Sequence, residues 1–584
     1  MQRRPSDPTR LGSASRDSRC RIGQNRIPLL RAARVRDVRS PLLVLGLDGA
    51  SLDVIRELAA AGRLPTLGAW LRDGVAGPLA STLPPMSFPA WSSFLTGVGP
   101  GEHGLFDFTQ KIEGAYRLRF VNASDRAGET IFSRVSRAGG TVLALGMPAT
   151  WPPERVRGLL VPGFDAPVSV GSDAEACSDP ALYREIEERA GPWMTADLAE
   201  GAHDAGWHER AAEILPRRVE KKTRFAIEAL RTLRQRNAGR RPDVVCVVFA
   251  ESDTVAHHFW RDHDSSSPRH DPLASALRRG ALGAVYEALD AACGELAEAM
   301  GSEALRVVVS DHGSGGASRR IVHLNRHLEQ AGLLRRRPRS GLPLDSLARL
   351  ARDAALRVLP PGAAQAIFRR ARAGAARIES AARFGGFDWS RTTAFSEEAN
   401  TQPGVWLNLA GREARGSVAA QDRERALRDV IDVLGEWRLP GGEGCVVSRV
   451  RPREEVYAGP FVSRAPDLIV ELADDAGYGL SLVPTPWGVG TSESLRTLDL
   501  AELGGGRGRG LGGVHRPDGI LVAAGPGAQT LASVRRIEAL APALLRSIGL
   551  DERPSRPSPP APRGFTADEE AELAARLRGL GYLE

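Results

Sequence analysis

The chain has 584 residues, 42% hydrophobic and 26% charged, with a formal net charge of +7. That length calls for one large α/β domain with insertions, or for two to three domains, and the composition is that of a folded globular protein. The positive excess is mostly Arg, gathered in the first forty residues and between Leu333 and Arg383; no basic stripe is interleaved with aromatics, which argues against a nucleic-acid partner.

Residues 1–40 lack hydrophobic periodicity and are expected to be a disordered arm or an over-extended gene start. No apolar stretch is long enough to span a bilayer, and no hydrophobic region follows the Arg-rich N-terminus. The five cysteines, Cys20, Cys177, Cys246, Cys293 and Cys445, are scattered without a CxxC pair. These features set the expectation of a cytoplasmic protein without a disulfide framework.

Folded sequence begins at Leu42, where Leu42-Leu43-Val44-Leu45-Gly46-Leu47 is an apolar run of the kind a buried parallel strand needs. Helical patterns follow through Val54, Ile55, Leu58 and Ala59, then from Pro65 through Leu67, Trp70 and Leu71. Further buried strands are read at Thr141 to Leu145, Val244 to Phe249, Leu305 to Val309 and Gly519 to Ala523. Helical patterns at Tyr183 to Arg189, Trp207 to Leu233, Ala274 to Met300 and Ser533 to Ile548 separate most of them. Strands alternating with helices predict a mostly parallel sheet covered on both faces. Two more strands, Val405 to Leu409 and Asp467 to Leu472, fall in a later subregion. Helical insertions that cap the site are expected at about 165–240 and 335–387 within a catalytic domain spanning 41–550, and 551–584 reads as a Pro-rich linker with a short terminal helix.

Three apolar runs finish in acidic clusters: Leu47-Asp48-Gly49, Glu251-Ser252-Asp253 and Ser310-Asp311-His312-Gly313. Ligands of an open parallel sheet bind beyond the carboxyl ends of its strands, so these acids are expected to converge. Crowded carboxylates need cations. Asp253 and His257 are four apart, one helical turn; Asp311 and His312 are adjacent; His515 lies in a turn before another strand. A mixed Asp/His set suits Zn²⁺ first and Mn²⁺ next. Ser87, in Pro85-Met86-Ser87-Phe88-Pro89, reads as a helix N-cap, where free N–H groups favour an anion and a hydroxyl near a metal can act as nucleophile.

Singly, each of these residues has a plainer explanation: Asp48 as a turn former, Ser87 as a cap, Asp253/His257 as a solvated helix face, Asp311-His312 as a loop, His515 as a surface turn. Together and in order they resemble a known series. Leu47-Asp48-Gly49, Ser87-Phe88-Pro89 with Thr96-Gly97 nine residues on, Pro100-Gly101-Glu102-His103-Gly104, Glu251-Ser252-Asp253-Thr254-Val255-Ala256-His257, Ser310-Asp311-His312-Gly313 and Gly513-Val514-His515 look like the motifs of the type I phosphodiesterase/nucleotide pyrophosphatase family of the alkaline phosphatase superfamily.

The resemblance implies an alkaline-phosphatase-like three-layer α/β sandwich. It implies that Asp48, Asp311 and His312 hold one metal, with Ser87 as further ligand and nucleophile, and that Asp253, His257 and His515 hold a second. It implies hydrolysis of a small-molecule phosphate ester or diester through a phosphoseryl intermediate. The nucleotide pyrophosphatases carry an Asn downstream of the nucleophile that holds a phosphate oxygen; no Asn lies between Ser87 and Gly104, and Ser92 or an inserted Arg is the expected substitute. No Cys-x-Pro-x-Arg motif marks a sulfatase. The competing readings are a phosphotransferase or mutase of the same superfamily, a non-catalytic binding protein on the same fold, and polyanion binding by the N-terminal arm. Of the other polar residues, His103 is expected to shape its loop, His258 to point away, Glu251 to support the metal ligands, and His323 and Asn325 to orient the Asp311-His312 loop.

Overall fold

The run Leu42–Leu47 forms a strand, β1, buried along its whole length. A strand covered on both faces needs an unbroken apolar run, yet period two still decides which face each side chain serves. Leu43, Leu45 and Leu47 enter one hydrophobic core, and Leu42 and Val44 enter another. The computed structural model describes residues 40–584 apart from 167–172, 194–205, 338–383, 385, 399–402, 443, 487–492, 505–509, 551–563, 567–568, 571–572 and 575–584.

Six more strands complete the central sheet: β2 (Val75–Ala80), β3 (Val142–Met147), β4 (Gly158–Pro162), β5 (Val244–Phe249), β6 (Leu305–Val309) and β7 (Asp518–Ala524), in the order β2-β7-β6-β1-β5-β3-β4. β1 runs parallel to both β5 and β6, with Leu47 opposite Phe249 and Gly46 opposite Val309. β3 runs parallel to β4 and β5. Only β7 runs against the rest, antiparallel to β6 and β2. Helices Leu52–Ala60, Pro65–Asp73, Trp207–Arg236 and Ala276–Met300 fill the core on one face, and Ser87–Thr96, Ile131–Arg137 and Leu540–Ser547 the core on the other. This is the expected three-layer α/β sandwich with a mostly parallel sheet.

A second lobe follows. Strands Ala394–Phe395, Gly404–Leu407, Leu468–Leu472 and Val447–Pro452 form an antiparallel sheet over helix Arg423–Gly435, with its own core around Trp406, Leu427 and Val430. The long strand Gly313–Val322 pairs with Tyr478–Leu482, Leu495–Thr497 and Gly513–Arg516.

Several expectations change. Edge strands β2 and β4 escape the apolar-run criterion because Gly77, Pro78 and Pro162 break their pattern; Pro fits the edges of a sheet, where a missing N–H leaves no partner unpaired. The pattern at Ser533 to Ile548 shortens to a 3-10 turn at Ile537–Ala539 and a helix from Leu540. The stretch 165–240 is not wholly an insertion, because Trp207, Leu215, Val219, Phe225 and Leu230 are buried in the main core. The arm 1–39, nearly all of 335–387, the linker 551–563 and most of the terminal helix lie outside the described residues.

One position ties the sheet to the helix above it. A Cβ on Gly46 would stand 2.8 Å from the Trp91 ring and 2.8 Å from a Val248 methyl. Gly46→Ala is therefore expected to cost about 1–3 kcal/mol, the range for overpacking, read as a lower denaturant midpoint; an unchanged midpoint would mean that ring and methyl relax around the new group.

Candidate metal centre

Asp48 follows β1 directly. Helix Glu251–His263 follows β5, and Ser310-Asp311-His312 follow β6. Because β1 lies between β5 and β6, all three carboxyl ends open onto one edge. β7 runs the other way, so its beginning lies at that same edge, and the short strand Gly513–Arg516 delivers His515 there. His515 is thus in a strand, paired opposite Ser314, and not in a turn.

Two groups of ligand atoms result: Asp48, Asp311 and His312, and Asp253, His257 and His515, each with its atoms within 4.8 Å of one another and all residues buried. His257 Nε2 lies 3.4 Å from Asp253 Oδ1, and His515 Nε2 lies 3.6 Å from it. His312 Nε2 lies 3.7 Å from Asp48 Oδ1 and 3.4 Å from Asp311 Oδ2. The groups touch: the His312 and His515 rings stack at 3.8 Å. Gly49 sits between them with φ +61°, and a Cβ there would be 2.5 Å from Asp253 Oδ1 and 3.1 Å from His312 Cε1.

Ser87 is the first residue of helix Ser87–Thr96, whose cap is Met86. It is completely buried, and its Oγ donates to Asp48 Oδ1 at 3.2 Å and lies 3.3 Å from His312 Nε2. All seven residues singled out for the site in the sequence are therefore brought together.

The donor set fits divalent metals. The Nδ1 atoms of His257, His312 and His515 lie 3.1, 3.0 and 2.9 Å from the carbonyl oxygens of Gly513, Gly313 and Pro85. A carbonyl only accepts, so each Nδ1 carries hydrogen and each neutral imidazole turns its Nε2 lone pair inward, the arrangement of metal-binding histidines. His257 Nε2 and His515 Nε2 are 3.0 Å apart; two lone pairs so placed repel unless a cation lies beside them. Asp311 Oδ2 is buried with no hydrogen-bond partner among the described residues. Burial, then Asp311 and Asp253, hold the Asp48 carboxyl well above the usual carboxylate range. Burial, then the charge of Asp253, push Asp311 up to about 8 against backbone N–H bonds that pull it down. Burial, then His312 and His257, hold His515 well below the ordinary imidazole value.

Supporting contacts were only partly legible. Trp91 Nε1 donates to Asp48 Oδ2 at 2.9 Å, Ser252 Oγ to the Asp48 carbonyl at 2.7 Å, and Ser314 Oγ to the Gly49 carbonyl at 2.6 Å. The serines stand inside or beside the quoted motifs; nothing in the sequence signals Trp91. Glu251 is buried and paired with Lys222 at 2.7 Å. His103 shapes its loop, 3.0 Å from Ser93 Oγ and accepting from Leu105 N, and burial holds it down to about 3. His258 is buried against Trp207. His323 and Asn325 do not orient the Asp311-His312 loop: they lie past the far end of strand Gly313–Val322, bonded to Val483 and Ser396. Ser92 is completely buried, its hydroxyl without a partner among the described residues.

The fold and these motifs are those of the alkaline phosphatase superfamily. Residues 42–480, about three quarters of the chain, match the sequence profile of the type I phosphodiesterase / nucleotide pyrophosphatase family, and the chain belongs to that family. Among solved structures, phosphonoacetate hydrolase from Sinorhizobium meliloti 1021 in complex with phosphonoacetate is similar with 13% identity and a TM-score of 0.47, over 88% of this chain and 97% of that one. Human ectonucleotide pyrophosphatase/phosphodiesterase 5 is similar with 12% identity and a TM-score of 0.44, over 87% and 94%. An inactive form of the murine protein in complex with AMP gives 12% and 0.42, over 88% and 95%. No curated protein sequence matches the chain. No helix among the described residues is long and apolar enough to cross a membrane.

The acids make the metal-free protein pH-sensitive in a definite direction. A carboxyl held at about 8, above its ordinary 3.8, contributes stability that is full below 3.8 and lost as pH rises through about 8. His515 acts oppositely, but its contribution is already complete above 6.5. Chelator-treated protein is therefore expected to melt at progressively lower temperature as pH rises from about 6.5 to about 8. Zn²⁺-loaded protein should lose that slope. A flat or rising profile in the metal-free sample would contradict the crowding of these acids.

Proposed function

We propose that this protein hydrolyses a phosphate ester or diester, with Ser87 as nucleophile and two divalent cations, Zn²⁺ or secondarily Mn²⁺, held by Asp48/Asp311/His312 and by Asp253/His257/His515. The observation that carries this reading is the convergence of two Asp/His triads, imidazole lone pairs inward, around a buried serine hydroxyl at a helix N-terminus.

The Ser87 hydroxyl donates to Asp48 Oδ1, a contact that orients Oγ for attack on phosphorus. The free N–H groups of the first turn of helix Ser87–Thr96 face the same end and favour the phosphoryl oxygens. Cations held by the two triads would lower the pKa of the Ser87 hydroxyl and offset negative charge developing on the substrate. Oγ bonds to phosphorus as the P–O bond to the alcohol breaks and the alcohol leaves with a proton. Water then attacks the phosphoseryl group, releasing phosphate or the remaining ester and returning the hydroxyl to Ser87. Cys246, Cys293 and Cys445 form no disulfide among the described residues; the cytoplasm is the compartment proposed for this chain.

The test couples metal analysis to turnover of paired aryl phosphate monoester and diester substrates before and after chelation. About two metals per chain, chelator-sensitive turnover, and a loss of at least about 10³-fold in Ser87→Ala with metal content unchanged are expected. Full activity in Ser87→Ala would overturn the nucleophile. No metal and no turnover after adding Zn²⁺ or Mn²⁺ to folded protein would overturn the hydrolase reading.

A further inference from the structure

The two neighbours of Ser87 in the chain are apolar and deeply buried: Met86 and Phe88 are each 1% exposed. They join Phe108, Ala149 and Phe164 in one hydrophobic cluster, with Ala250 packed against it. Ala149 comes just after β3, Phe164 just after β4 and Ala250 directly after β5, so the cluster lies at the same edge of the sheet as the metal centre. The Phe88 and Phe108 rings are 5.1 Å apart, and those of Phe108 and Phe164 are 6.2 Å apart.

This packing bears on the serine because its helix starts without a polar cap: Met86, at the cap position, gives no side-chain hydrogen bond. The loop before it is held at the Leu83 and Pro85 carbonyls by Tyr457 and His515. Met86 and Phe88 are held by the cluster.

Two members of that cluster come from the far end of the chain. Leu573 and Ala574, 3% and 4% exposed, belong to it, and Phe565 packs against it. The Phe565 ring stacks on Trp151, two residues beyond Ala149, with centroids 4.7 Å and planes 9° apart. Between these anchors Thr566 and Glu569 cap each other: Glu569 Oε2 accepts from Thr566 N at 2.7 Å, and Thr566 Oγ1 accepts from Glu569 N at 3.3 Å, the reciprocal pair that starts a helical turn. Burial raises the Glu570 carboxyl, and the charge of Arg119 partly offsets the rise. The segment lies beyond residues 42–480, which match the family profile.

We propose that the C-terminal segment carrying Phe565, Leu573 and Ala574 is a positioning strap: docked on the cluster that holds Met86 and Phe88, it fixes the first turn of the nucleophile helix, and undocked it lets that turn move. The consequence for turnover rests on the hydrolase reading above; the consequence for the order of the turn does not. A displacement of about 1 Å at a reacting group is enough to cost about 10²-fold in rate.

Three variants of the full chain, loaded with Zn²⁺, test it. Leu573→Asp places a charge in the cluster, Phe565→Ala removes the stacked ring, and Leu573→Met keeps the volume. Hydrogen exchange is followed in residues 564–574, in residues 84–92 around Ser87, and in helix Ala276–Met300 as the control for folding. Metal content, kcat and KM for aryl phosphate monoester and diester are measured in parallel. The wild type and Leu573→Met are expected to protect both 564–574 and 84–92. In Leu573→Asp and Phe565→Ala both segments should exchange at least about tenfold faster with the control helix unchanged, and kcat should fall about tenfold or more while KM and metal content are kept. Free exchange of 564–574 in the wild type, its release without faster exchange in 84–92, or a kcat that stays or rises on release overturns the proposal. If the control helix also loosens in Leu573→Asp, Phe565→Ala decides. A folded wild type without turnover fails the hydrolase reading alone, and the exchange around Ser87 then decides for or against the strap by the same criterion.

Discussion

The structure turns on a repulsion. Asp48, Asp253 and Asp311 are gathered at one edge of the central sheet, all buried, with no Lys or Arg among the ligand groups. Two like charges 4 Å apart repel by about 4 kcal/mol even at an effective dielectric of 20, and burial adds desolvation for each. Burial and crowding hold the Asp48 and Asp311 carboxyls well above the carboxylate range. Divalent ions remove both penalties. The inward imidazole lone pairs argue for the same ions independently, since they come from backbone carbonyls clamping each Nδ1.

That convergence is a consequence of topology, and topology is what the apolar runs encode best. β1, β5 and β6 appear in the sequence as mostly Leu/Val stretches, because both their faces are covered, with Arg306 the one charged residue among them, and each is followed within four residues by its Asp. β7 is equally apolar, but nothing in Gly519 to Ala523 says that it runs backwards; direction is set by which neighbour it meets. The reversal places His515 at the active edge, so the sequence found the residue by its motif and missed its setting in a strand. The edge strands β2 and β4 stayed hidden for the opposite reason, since an edge tolerates Gly and Pro. Helix Trp207–Arg236 looked polar because 30 residues carry many charges, yet one stripe of it is core.

Asp48 also shows how a side chain without a motif can decide a site. Its two oxygens are divided between partners: Oδ2 accepts from the Trp91 indole and Oδ1 from Ser87. The indole is fixed in turn, since Trp91 is completely buried and Gly46 makes room for its ring at the sheet. The carboxylate is thereby presented edge-on to the serine with its other edge occupied. Such a contact depends on the rotamer of one aromatic ring and on a missing Cβ across the sheet, so no local pattern could have announced it.

The division of labour between the lobes follows from the loop at Leu83 to Met86. On one side His515 Nδ1 grips the Pro85 carbonyl, and on the other Tyr457 grips the Leu83 carbonyl. The candidate ligands come from the carboxyl ends of central-sheet strands, from helix Glu251–His263 and from strand Gly513–Arg516, whereas Trp406 belongs to the second lobe, whose core is separate. The loop ahead of Ser87 is thus held from both sides, at the edge of the sheet where the candidate ligands converge.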